Sequence, residues 1–345
     1  MPKRVETLSP QASPVAKVRL FDRYTLGELR GEGASGRVFC VRDDAATSAP
    51  RIVKTQMFAG KDPSAQDDGT DFLIEALALA RLRGHPNVAE LTETIYQPGR
   101  RGALVMRECR GPALHVRLRS RAPIAVDVAR RWAQQLFAAL HHCHAHNVIH
   151  RDIKSPNLVL TSTDDAEAAL VLVDFGAAHV FDDADDTQRG ARLKWPVTTA
   201  WYRAPEMLVC DMHEGCTMRH GPPADVWAGA CVLYEIVRAA AGFGVAALFP
   251  GDADADPHEL AWLFVTELGA PRASEWSDGE PFFRSFGVQL PSANPRCALT
   301  SALTPVPAAE PLLTSVRHIL QHTIRWNPAA RMTAEQVCAA LSGQY

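Results

Sequence analysis

The chain has 345 residues, enough for one large core or two small ones, and its 36 basic against 39 acidic side chains leave a formal charge of -3. That balance carries no electrostatic footprint of a nucleic-acid or membrane-surface partner, so neither is expected. With 47% hydrophobic and 22% charged residues, the composition is that of a globular protein and excludes a disordered or fibrous chain.

Residues 1–23 hold Ser9-Pro10 and Ser13-Pro14 without a sustained period and read as a flexible tail. The opening Met1-Pro2-Lys3-Arg4 has no apolar run, so no secretory leader is expected, and proline at position 2 excludes N-myristoylation. From Tyr24 the pattern turns to short strands, with 39–42 and 51–58 flanking a turn-rich Asp43 to Ser48. Residues 60–71 are rich in Gly, Asp and Ser and read as a loop. The spacing of Leu73, Ala76, Leu77 and Ala80 predicts a helix over 72–83, and 102–109 reads as a strand. Beyond Gly111 helices dominate: 126–146 through Val128, Trp132, Leu136 and Leu140, one around 227–237 after Pro222-Pro223, then 311–325, and 333–341 opened by Thr333. The apolar stretch 227–249 contains Glu235 and Arg238, which makes it a buried helix and not a membrane span. Eight cysteines lie scattered without a framework spacing, so reduced thiols in an intracellular compartment, cytoplasm or nucleus, are expected. The layout is α+β in two lobes, a strand-rich part over 24–109 and a larger helical part over 110–345.

The chemistry is concentrated in His150-Arg151-Asp152-Ile153-Lys154-Ser155-Pro156-Asn157, with Asp174-Phe175-Gly176 downstream. Asp152 can receive the proton of an attacking hydroxyl. Asn157 and Asp174 can supply oxygen ligands to Mg²⁺, and Lys154 can face the charge of a moving phosphoryl group. Phosphoryl transfer asks a protein chiefly for such positioning and charge neutralisation. Upstream, Gly31-x-Gly33-x-x-Gly36-x-Val38 is a loop whose backbone can close over phosphates, since glycine presents no Cβ. Alone it is as readily a glycine-rich hairpin. Lys54, alone, would be a solvated strand lysine and Glu75 an exposed helix charge. The order loop, lysine, glutamate, HRD, DFG lifts both above those readings.

With these motifs in place the chain resembles the eukaryotic protein kinases from Tyr24 to about Leu341. Lys154 resembles the Ser/Thr class. Trp201-Tyr202-Arg203-Ala204-Pro205-Glu206, Leu248-Phe249-Pro250-Gly251 and Glu267-Leu268-Gly269-Ala270-Pro271 resemble the CMGC group of cyclin-dependent and mitogen-activated kinases. The resemblance implies a bilobal kinase fold, ATP and Mg²⁺ as cofactors, and protein substrates with proline after the target Ser or Thr. It implies that Glu75 holds Lys54 against the α and β phosphates, that Met106 is the gatekeeper, and that backbone groups of Glu108 and Cys109 hydrogen-bond the base between Val38 and Val159. Thr199 would bond Asp152 and Lys154, and Arg331 would pair with Glu206.

Some positions depart from the pattern. Ile52 stands where the family has alanine over the adenine. The usual activating phosphosite reads Lys194-Trp195-Pro196, without a hydroxyl. Either local packing there keeps the segment active or Thr187, beside an acidic run at 182–186, is the acceptor. Ala34-Ser35 at the loop tip lacks the inhibitory tyrosine. A regulatory protein partner stays open, but the helix bearing Glu75 has no PSTAIRE-like sequence, which counts against a cyclin. Ala230 replaces an expected glycine, with Gly229 adjoining. Cys210, His213, Cys216 and His220 read as a polar loop before a zinc site. His141, His142, His144 and His146 read as cationic groups at a helix C-terminus. The alternatives to an active kinase are a pseudokinase-type binding module and a small-molecule phosphotransferase; the latter has no use for the Trp201–Glu206 peptide-site segment.

Overall fold

The computed structural model describes residues 19–20, 23–33, 36–43, 50–57, 70–97, 101–183, 200–212, 220–250, 256–271, 274–276 and 310–343. Ala34, Ser35, Thr187, Lys194, Trp195, Pro196, Thr199, His213 and Cys216 lie outside them, as do most of the expected tail and the loop at 60–69.

The strands of the first part are β1 (Arg19–Leu20), β2 (Tyr24–Gly33), β3 (Gly36–Asp43), β4 (Arg51–Met57), β5 (Leu91–Gln97) and β6 (Arg101–Arg107). They form one antiparallel sheet in the order β1-β2-β3-β4-β6-β5. β1 falls within the stretch read as tail and pairs Leu20 with Tyr24. Strand alternation sorts the side chains onto two faces. Val53, Ala103, Val105 and Tyr24 form a small cluster on one face. The residues between them, Lys54, Leu104 and Met106, are also buried. Leu104 and Met106 belong to the main core with Phe72 and Leu79.

Phe72 and Leu79 come from α1 (Thr70–Arg81), which buries Phe72, Glu75, Ala76, Ala78 and Leu79. The helical period is as the sequence predicts, but the buried face is rotated by one residue. Leu73 and Leu77 are 44% and 49% exposed. The reason is electrostatic: Glu75 is drawn inward by Lys54, and the aromatic Phe72 follows it. Gly102 on β6 makes the room, since a Cβ there would come within 2.6 Å of the Phe72 ring.

The second part contains α2 (Leu114–Arg119), α3 (Val126–Ala145), β7 (Val148–Ile149), β8 (Leu158–Leu160), β9 (Leu170–Leu172), β10 (His179–Val180), α4 (Pro205–Met212), α5 (Pro222–Ala240), α6 (Pro257–Leu268), α7 (Glu310–Thr323) and α8 (Ala334–Leu341). β7 pairs with β10 and β8 with β9. α5 is buried on all sides from Ala224 to Val237, as its apolar sequence, interrupted only by Asp225 and Glu235, requires. Pro222 and Pro223 occupy its first turn, where no amide partner is lost. Gly229 lets α3 approach, because a Cβ there would sit 3.0 Å from Leu140 and 3.2 Å from Phe137. Glycine at 229 thus serves the close contact, and Ala230 is simply buried. Glu235 and Arg238 do not pair with each other: Tyr202 donates to Glu235, and Arg238 donates to Phe243 and Tyr234. No helix among the described residues is long and apolar enough to cross a membrane.

Thr333 caps α8 reciprocally with Gln336, and Arg130 and Gln134 of α3 donate to the Leu341 carbonyl at its other end. Arg331 places two nitrogens 2.7 Å from the two Glu206 oxygens, both side chains being essentially inaccessible to water. Arg331 also lies 4.9 Å from the Trp227 ring centre. Breaking such a pair strands a buried charge. Arg331→Ala is expected to lose about 3–5 kcal/mol, read as a lower urea midpoint with unchanged slope.

Candidate active site

The HRD segment is fixed from below by one carboxylate. Asp225, in the first turn of α5, accepts from the amides of His150 and Arg151 at 2.8 Å each, and lies 3.1 Å from His144 Nε2. Burial pushes this carboxyl up, but the hydrogen bonds and charge of His144 and the amides outweigh it and hold it below the usual value. The anchoring explains how Arg151 tolerates a φ of 68°, in the left-handed region. His150 is fully buried, its ring against the Val173 carbonyl at 3.0 Å and edge-on to Phe175.

Held this way, Asp152 presents one oxygen to its neighbours and keeps the other. Oδ2 lies 2.8 Å from Lys154 Nζ and accepts from Asn157 Nδ2 at 2.9 Å. Oδ1 is buried and has no hydrogen-bond partner among the described residues. Asn157 also donates to the Asp152 carbonyl at 2.9 Å. Its amide nitrogen is thereby committed and its side-chain oxygen is the atom left to accept or ligate. Beside this loop, Ser155 and Glu235 share the Tyr202 hydroxyl at 3.1 and 2.7 Å.

Lys54 sits 2.7 and 2.9 Å from the two oxygens of Glu75 and 2.7 Å from Asp174 Oδ1. All three ammonium donors are used. Burial pushes Lys54 down, but the two carboxylates outweigh it and hold it above its ordinary value, so it is charged. Burial pushes the Glu75 carboxyl up against the pull of Lys54. Asp174 adopts φ 61° and ψ 73° and is the more exposed of the two acids, at 37% against 3%.

A cavity of about 1440 Å³ opens between the sheet and the catalytic loop. Its walls include Gly31, Gly33, Gly36, Val38, Lys54, Glu75, Met106, Glu108, Cys109, Asn157, Val159 and Asp174. Thus one site gathers nearly every residue singled out in the sequence. Asp152 and Lys154 stand next to it, joined through Asn157, and Thr199 lies outside the described residues. Ile52 also lines the cavity and faces Met106 across β4 and β6. Gly36 has φ +123°, and a Cβ there would strike the Thr55 carbonyl at 2.3 Å, so that glycine is required by the turn. Gly31 and Gly33 have no such neighbour and leave the strand bare.

The Glu108 amide donates to the Pro50 carbonyl at 3.1 Å, which narrows the expected base contacts to the Glu108 carbonyl and the Cys109 backbone. One expectation needs correction. The histidines ending α3 are not a uniform cationic cap: His142 stacks on His85 at 4.6 Å and meets His146 at a tilt at 4.1 Å, and burial lowers His85 and His142 toward the neutral form. Of the four residues weighed for zinc, His220 alone has a described side chain, and it is buried. Sequence reasoning missed Arg30 and Cys40, whose contacts with Glu108 cross 78 and 68 residues.

Residues 24–341 match the protein kinase domain, and the chain belongs to that family. It is similar to cyclin-dependent kinase-like 4 of Mus musculus, 29% identical over 314 residues, 89% of this chain and 79% of the relative. It is 29% identical to cyclin-dependent kinase-like 1 of Caenorhabditis elegans over 325 residues, 92% of this chain and 79% of the relative. Extracellular signal-regulated kinase 2 of Dictyostelium discoideum is 30% identical over 320 residues, 92% of this chain and 78% of the relative. These relatives place it in the CMGC group of serine/threonine protein kinases.

The lowered Asp225 carboxyl makes a pH prediction. A depressed folded value contributes stability that is present above the unfolded value and lost as pH falls through the folded one. Acid melts of the native protein should therefore lose stability below about pH 4, and Asp225→Asn should flatten that limb while costing about 2–4 kcal/mol at neutral pH.

Proposed function

We propose that the chain is an active kinase that transfers the γ-phosphate of ATP to Ser or Thr hydroxyls of proteins, with preference for proline after the acceptor. The observation that carries this reading is the triangle of Lys54, Glu75 and Asp174, closed at 2.7 Å on both carboxylates. Such a charge arrangement is costly to bury and has a use only where phosphate and metal arrive.

The residues present fit both cofactors. Asp174 and the Asn157 side-chain oxygen are hard oxygen donors of the kind Mg²⁺ takes. Gly31 and Gly33 leave room for phosphates beneath the strand, while Val38 and Val159 offer apolar faces to a base whose edge meets the Cys109 amide. The metal, once bound, would neutralise charge on the transferring phosphoryl group. The remaining steps belong to the chain. Lys54 orients the α and β phosphates. Asp152 Oδ1 takes the proton of the acceptor hydroxyl, while Lys154 and Asn157 hold its other oxygen still. Arg203, in the segment before α4, supports the proline preference by its resemblance to the group.

A pseudokinase-type module is the second reading, favoured by Ile52 in the roof of the cavity. A thermal shift with ATP and Mg²⁺, followed by a peptide array, separates the two. The active kinase should phosphorylate Ser-Pro and Thr-Pro peptides. Asp152→Asn should lower kcat by about 100-fold or more, and Asp174→Ala should leave no transfer. Undiminished transfer by Asp174→Ala would sink the assignment.

A further inference from the structure

The ladder of the strand that carries Gly31 is interrupted just before that glycine. From Gly27 to Gly33 every residue of β2 is exposed. Its register against β3 shifts between Leu26 and Leu29 and again between Leu29 and Gly31. Arg30 sits at the second break, where regular pairing is lost. Its side chain makes up for the break. Arg30 donates from Nη2 to Glu108 Oε1 at 3.0 Å and from Nε to Cys40 Sγ at 2.8 Å, and Nη1 reaches Glu28 at 3.0 Å. Cys40 in turn donates to the same Glu108 oxygen at 3.1 Å. Glu108 is itself fixed, its amide on Pro50 and its side chain only 12% exposed.

We propose that Arg30, acting through Glu108 and Cys40, is a positioning residue that clasps the glycine-rich strand to the linker after β6 and so sets the grip of the cavity on its nucleotide. The proposal rests on reading that cavity as the ATP site. Both Arg30 and Glu108 line it. A planar guanidinium suits the task, because its fork reaches a carboxylate and a thiol at once, which a single ammonium does not. Burial and Glu108 raise the Cys40 thiol, which keeps its proton available for the carboxylate. Releasing the clasp frees the strand at its register break beside Gly31, and the loss falls on nucleotide binding and not on the chemistry at Asp152.

The test uses the full chain with ATP and Mg²⁺. Arg30→Met should raise the KM for ATP about fivefold while kcat stays within about twofold, the size expected for a half-exposed charged contact. Arg30→Lys should fall between, and exchanging the pair as Arg30→Glu with Glu108→Arg should recover most of the affinity. Melting of each variant without nucleotide checks folding. A parallel fall in kcat, an unchanged KM in Arg30→Met, or a charge swap that recovers nothing overturns the clasp. A native protein that binds ATP with a variant that binds it equally well defeats the clasp alone, whereas a native protein that binds no ATP defeats the clasp and the nucleotide reading together.

Discussion

A carboxylate sealed from water organises the catalytic half of this molecule. Asp225 belongs to a helix buried on every side, so it cannot turn outward without opening the core. Its charge must be met inside, and the partners that meet it are two consecutive amides of the catalytic loop and a histidine at the end of α3. The loop is therefore referenced to the most rigid element of the fold. Arg151 takes a left-handed backbone to make this possible, and Asp152 follows in the position where one of its oxygens has no partner among the described residues.

A second constraint acts from the sheet. Alternation along β4 sends Val53 to the small outer cluster and Lys54 to the face shared with α1. An ammonium on that face demands a carboxylate, and it turns α1 so that Glu75 lies inward and two leucines lie outward. Two rigid frames, the buried helix and the sheet, thus approach a common cavity from opposite sides, each carrying its charge already placed. The ion pair of Arg331 with Glu206 ties the first turn of α4 to the segment that leads into α8 in the same way.

Much of this was legible because phosphoryl transfer restricts residue types as well as spacing. Lysine, glutamate, aspartate and asparagine in that order point to one site, and the α+β layout follows from where period two gives way to period 3.6. Boundaries of α3 and α8 fell within two residues of the pattern for the same reason. What the sequence hid were choices made by distant partners. The inward face of α1 is decided by a lysine on another element, and hydropathy alone favours the leucines. The Glu108 amide is taken by Pro50, a contact no local pattern announces. Arg30 reads as a surface charge until Glu108, 78 residues away, is brought beside it.

The triangle around Lys54 has one more consequence. With every donor of the ammonium already engaged, the phosphate of the proposed nucleotide would have to exchange for one of these bonds. Glu75 is buried and holds with both oxygens, so Asp174, held by one and reached by solvent, is the bond that can be given up. Asp174 would thus compete for the same lysine that the proposed nucleotide uses. On the proposed reading, a divalent ion held by Asp174 would relieve the competition, so that metal and nucleotide would be mutually reinforcing ligands linked through one side chain.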